Sequence, residues 1–280
     1  MRPFFSLTLL VIVTLTLGGV PRLWNFAQAA FNDPKWLPAL AADSPVHFEP
    51  AAEGCATIVG RMLPEALRSV EDAHGRPFAQ APIVGVYGSY DNYAKANGMG
   101  DPRIAAVALS GRVVLSPTLC GAESARLAPV LTHELSHAHF FGWRGLWAER
   151  PPSWFVEGLA VMISGGAGAE EMSEEEARAR IRDGHALIMS EQGVWRDFSS
   201  IAFADERGGD FARFDLVYRQ RLAFRQAAMF VAWLKAQDEA GFAELLRRLE
   251  EGKGFAAAFA AAFRADLPTL SRNYLATIGG

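Results

Sequence analysis

Two histidines four residues apart, His133 and His137, with Glu134 beside the first and Glu157 further on, demand a particular local architecture. On an α-helix, residues four apart share a face, so both imidazoles of His133-Glu134-Leu135-Ser136-His137 can point at one ion. Glu157 lies in Trp154-Phe155-Val156-Glu157-Gly158-Leu159-Ala160, an apolar run that also reads as helix. The chain must therefore bring two helices together so that three donors converge. Two imidazoles and one carboxylate make a three-ligand zinc site, and its open fourth position separates a catalytic ion from a structural one.

The remaining glutamate of the motif supplies a proton acceptor. Glu134 follows the first ligand by one residue and precedes the second by three, which stands its carboxylate beside the open position. There it can take a proton from water and return it to a leaving amine. The chain has only six histidines, so an accidental HExxH is improbable. The expectation is a hydrolase using one Zn²⁺, with His133, His137 and Glu157 as ligands, Glu134 as general base, and a peptide or protein as substrate.

Composition agrees with a globular enzyme. Half of the 280 residues are hydrophobic and 21% are charged, an ordinary balance for a packed core. The net charge of −4 comes with no basic block, which excludes nucleic acid as the expected partner. At the N-terminus Arg2 precedes an uncharged apolar run from Phe4 to Val20, and Ala27-Gln28-Ala29 offers an A-x-A cleavage signal. Residues 1–30 are read as a secretory signal peptide or as an uncleaved anchor, with residues 4–20 as the tether. Both readings place the domain outside the cytoplasm, in a periplasmic or similar compartment. Cys55 and Cys120 are then either one disulfide or two buried thiols.

Periodicity supplies the rest of the organisation. A lead-in runs through Pro50, followed by a helix over 51–73 with Ile58, Met62, Leu63, Leu67 and Val70 on one face and Pro64 as a kink or break. A strand is predicted at Ile83–Tyr87, a short helix after Asp91, and a hairpin pairing Ala105–Leu109 with Arg112–Ser116. The HExxH helix spans Ser124 to about Phe141, and Ser153 caps the helix of Glu157. Ser173 and Glu176 form a capping-box pattern. Beyond Gly193 comes a polar stretch to about Asp210, then helices near 214–236, 239–250, 254–264 and 267–277. The expected domains are residues 31–163, an α+β part holding both metal motifs, and residues 164–280, a helical part.

His133–His137 followed by Pro151-Pro152-Ser153-Trp154-Phe155-Val156-Glu157-Gly158-Leu159-Ala160 resembles the gluzincin metallopeptidases, in particular the peptidase MA-like group with its WFxEGLA signature. The run Phe224–Leu234 and the Ala/Phe-rich segment after Leu245 are similar to the helical half of that group. The resemblance implies a thermolysin-like zincin fold. In it, a small, mostly antiparallel sheet packs on the active-site helix and a helical C-terminal half follows. It also implies hydrolysis of peptide bonds. Two positions depart from the pattern. Val161 stands where some gluzincins carry an aspartate, and Phe224 stands where a tyrosine often stabilises the oxyanion. Tyr218, Arg221 and Arg225 are the substitutes for that donor, although a tyrosine on such a helix more often packs.

Three further readings stay open. Trp143 and Trp147 either rim the substrate site or pack over the helix. Arg112–Leu115 is either an edge strand that aligns an extended peptide, as the resemblance implies, or an ordinary sheet edge. His139 points away from the metal face and is read as packing or surface, and His47, His74 and His185 lack ligand-like spacing. The alternatives to a peptidase are a zincin-fold binding protein with little turnover and a zinc hydrolase of non-peptide envelope amides.

Overall fold

Short runs of β-branched residues and long runs of helical periodicity divide the chain into a small sheet and many helices. The computed structural model describes residues 20–109, 111–144, 148–191 and 215–279. Most of the expected leader, Ser110 of the hairpin turn, Trp147 and the polar stretch 193–210 lie outside the described residues. The chain divides into two compact units, one of Met1–Leu63 with Ala81–Leu127, the other of Pro64–Gln80 with Ala128–Gly280.

The first unit contains α1 (Val20–Phe31), β1 (Val46–Phe48), the start of α2 (Glu53–His74), β2 (Ile83–Val86), α3 (Tyr90–Ala96), β3 (Ala106–Leu109) and β4 (Arg112–Leu115). The strand order is β1-β2-β4-β3. β3 and β4 pair antiparallel as the expected hairpin, with Val107 opposite Val114. The β1–β2 and β2–β4 pairs are parallel. The sheet is therefore mixed and not mostly antiparallel. Helices α2 and α3 lie in the connections before and after β2, and such crossovers return the chain in the same direction. β4 is an interior strand with Val113, Val114 and Leu115 fully buried. It is not the expected edge; β1 and β3 take those places. Ser89 caps α3 by accepting from the Asn92 amide, so that helix starts before Asp91.

α2 runs through Pro64 without interruption, and the division between units falls at that residue. Its buried stripe is Ala56, Val59, Leu63, Ala66 and Val70, while Ile58 is exposed. The expected face was thus rotated by about one residue. Cys55 and Cys120 form a disulfide, with Cα atoms 5.5 Å apart.

The second unit is built from the end of α2 and from α4 (Leu127–Trp143), α5 (Ser153–Ile163), α6 (Glu174–Arg182), α7 (Leu216–Gln237), α8 (Glu239–Glu250), α9 (Phe255–Phe263) and α10 (Leu267–Gly279). Its core joins Phe140, Trp154, Phe155, Phe230, Phe242 and Phe259, so five of these helices meet in one aromatic cluster. Pro152, with no side-chain bond, occupies the cap position of α5, and Ser153 is its first residue. Ser173 caps α6 as its sequence predicts, accepting from the Glu176 amide at 3.0 Å. Among the described residues, no helix is long and apolar enough to cross a membrane.

Candidate metal centre

His133 and His137 stand on α4, and Glu157 on α5. Apolar residues hold α5 in place: Trp154, Phe155, Val156 and Leu159 are buried. Gly158 sets its distance from α7, because a Cβ there would lie 2.7 Å from the backbone carbon of Ala227. Any larger residue would push apart the helices beside Glu157.

The three donors converge. The Nε2 atoms of His133 and His137 are 3.0 Å apart, and each lies 3.3 Å from Oε2 of Glu157. Donors bound to one tetrahedral zinc at about 2.0–2.1 Å stand roughly 3.3 Å from one another. The residues present therefore fit a zinc ion, and the side chains retain 9%, 12% and 12% of their exposure. No Lys or Arg pairs with Glu157 among the described residues, so its buried charge is balanced by imidazoles alone. Burial pushes the Glu157 carboxyl up, but His137 and His133 outweigh it and hold the group far below the usual carboxylate range. For His137 burial favours the neutral ring, yet Glu157 and then Glu134 raise its pKa to about 9. Without a metal the cluster stores a proton that a dication would displace. Nδ1 of His133 is buried with no hydrogen-bond partner among the described residues.

Glu134 is half-buried on the same helix, close enough to His137 to raise its pKa. Its carboxylate accepts no hydrogen bond from a described residue, which leaves it available as a proton acceptor.

A glycine missed in the sequence completes the wall. Gly168 has φ 87°, and a Cβ placed on it would lie 2.9 Å from Cδ2 of Phe224 and 3.6 Å from Cε1 of His133. Only glycine lets the chain pass between the Phe224 ring and the ligand imidazole. Gly165, Gly166 and Gly168 mark a chain break in sequence, but nothing there says which of them meets His133.

The proposed oxyanion donors are engaged elsewhere. The Tyr218 hydroxyl donates to Oε1 of Glu176 at 2.8 Å and accepts from Nε of Arg180 at 2.9 Å. Arg221 pairs with Glu171. Arg225 donates to the carbonyls of Met172 and Ala169. Each ties α7 to the segment before it.

A second cluster of the same composition lies on another face of α4. Nδ1 of His74 donates to Oε1 of Glu250 at 2.9 Å, and Nδ1 of His139 lies 3.3 Å from the same oxygen. All three side chains are fully buried. Ser136 holds Nε2 of His74 at 3.2 Å, and His139 donates from Nε2 to the carbonyls of Arg76 and Pro77. Arg76 neutralises Glu250 at 3.2 Å. Burial, the largest influence, lowers the pKa of His74 to about 4, so this ring is neutral at pH 7. Trp143 donates to Pro77 and lies under the Arg76 guanidinium, so it packs against this cluster.

No family model matches the chain, and no curated protein is significantly similar to it.

Proposed function

We propose that the protein is a zinc-dependent peptidase of the gluzincin kind, exported or tethered to a membrane, with His133, His137 and Glu157 holding one ion. The observation that supports it is the convergence of three donor atoms at tetrahedral spacing around a buried carboxylate that no Lys or Arg pairs with among the described residues, beside a Glu134 to which none of them donates a hydrogen bond. An isolated buried carboxylate is costly unless a cation meets it. Bound there, zinc supplies Lewis acidity that polarises a carbonyl and makes water easier to deprotonate.

The chain's own residues do the remainder. Glu134 accepts the proton of the attacking water and delivers it to the amine as the peptide bond breaks. Gly168 keeps the Phe224 ring against His133 and gives that side of the site an apolar wall. The two imidazoles hold Glu157 below the usual carboxylate range, which favours its charged form as a ligand.

Zinc content and hydrolysis of a mixed peptide library, for wild type and Glu134→Ala, test the reading. One zinc per chain with cleavage lost by roughly 100-fold or more in the variant is the expected result. Zinc without Glu134-dependent cleavage of peptides would leave a binding protein or an envelope amide hydrolase. Absence of zinc would remove the metal centre itself.

A further inference from the structure

α1 presents a largely polar face and an apolar one, and among the described residues only the polar face has a partner in the fold. Asn25, Gln28, Ala29 and Asn32 face the first unit at helical spacing. Nδ2 of Asn25 donates to the Met99 carbonyl at 2.9 Å. Arg112 donates to the Ala29 carbonyl and pairs with Asp33 at 2.6 Å, and Tyr87 donates to the Asn32 carbonyl. Ala29 is almost completely buried. Gly100 has no room for a Cβ, which would fall 2.6 Å from the Asn25 amide. Cleavage after Ala30 would strip this face from the unit and break its contacts with Met99 and Arg112.

The outward stripe is Trp24, Ala27 and Phe31, spaced by three and four. Trp24 is 62% exposed and Phe31 86%, and Trp36, on the turn that follows, is 73% exposed with Lys35 against its ring. A helix docked on one side gains nothing in water from aromatic residues on the other. Two features of the chain point to what covers them. The stripe directly follows the uncharged run Phe4–Val20, and tryptophan beside a cationic side chain is the composition of a bilayer–water boundary. We propose that α1 remains on the working protein and rests on a lipid bilayer surface through Trp24, Phe31 and Trp36. The proposal does not depend on the metal chemistry.

The test uses the full chain, produced with its own N-terminus and reconstituted into vesicles of plain or brominated phosphatidylcholine. The mass of the extracted protein is expected to include residues 24–31. Brominated lipid is expected to quench part of the tryptophan emission, and W24F/W36F, which alters two of the seven tryptophans, is expected to remove most of that quenching. A mature chain beginning at Phe31 overturns the proposal. So does emission equal in both lipids, including a case where the chains self-associate through this face. Quenching unchanged in W24F/W36F also overturns it, since the contact then lies elsewhere.

Discussion

The cluster of His133, His137 and Glu157 and the cluster of His74, His139 and Glu250 hang on one helix and contain the same donors, but their surroundings differ. In the second, Arg76 neutralises the glutamate, Ser136 holds one imidazole and two backbone carbonyls hold Nε2 of the other, whose Nδ1 faces Glu250 without a hydrogen bond. In the first, among the described residues no Lys or Arg pairs with the glutamate, Nδ1 of His133 has no hydrogen bond, and none is donated to Glu134 nearby. Donor type alone therefore does not separate the two clusters. What differs is that Arg76 pairs with Glu250, whereas among the described residues no Lys or Arg pairs with Glu157 and imidazoles alone face it.

Exchanging the two glutamates for glutamine separates the clusters most strongly. Glu157→Gln is expected to weaken zinc binding by about 100-fold or more, read by competition with a chelator, while Glu250→Gln keeps one zinc per chain. Equal loss of metal in both variants would erase the distinction. Stability responds as well. Glu250→Gln leaves Arg76 without its partner and costs about 3–5 kcal/mol, seen as a lower urea midpoint.

A pH series gives a smaller effect. The unfolded His74 titrates near 6.5 and the folded one near 4, so between those values the unfolded state binds the extra proton. Stability from this group is complete above about pH 6.5 and falls as pH drops toward 4, by up to about 3 kcal/mol. His137, raised to about 9, has the reverse sign and loses its contribution only on the alkaline side. Urea titrations of metal-free protein from pH 7 to 4.5 are expected to show the decline, and His74→Gln to flatten it. The smallest change is Ser136→Ala, which removes one hydrogen bond at 3.2 Å. A loss of about 1 kcal/mol with unaltered zinc content is expected in the same urea assay.

The two clusters also differ in how far the sequence announces them. His133 and His137 are neighbours on a helix face, and Glu157 lies in a run whose periodicity marks the next helix, so local spacing suffices. His74 and Glu250 are 176 positions apart, and no spacing rule connects them; His139 reads as packing or surface in the sequence, whereas in the structure it is fully buried beside Glu250. The same limit explains the sheet. The hairpin of β3 and β4 is a local event, whereas β1 is three residues long and pairs across the whole of α2. A parallel partner at that distance leaves no trace in the strand's own residues, and with β2 on its other side β4 became an interior strand.

The disulfide has a consequence for resistance to proteolysis. Cys55 and Cys120 enclose β2, α3, β3 and β4 within one covalent ring. A single cut anywhere in that ring opens it without releasing either end, so the severed strands stay tethered beside their partners and can pair again. Only a second cut or a reductant frees a fragment, and damage in this part of the chain becomes a nick instead of a loss.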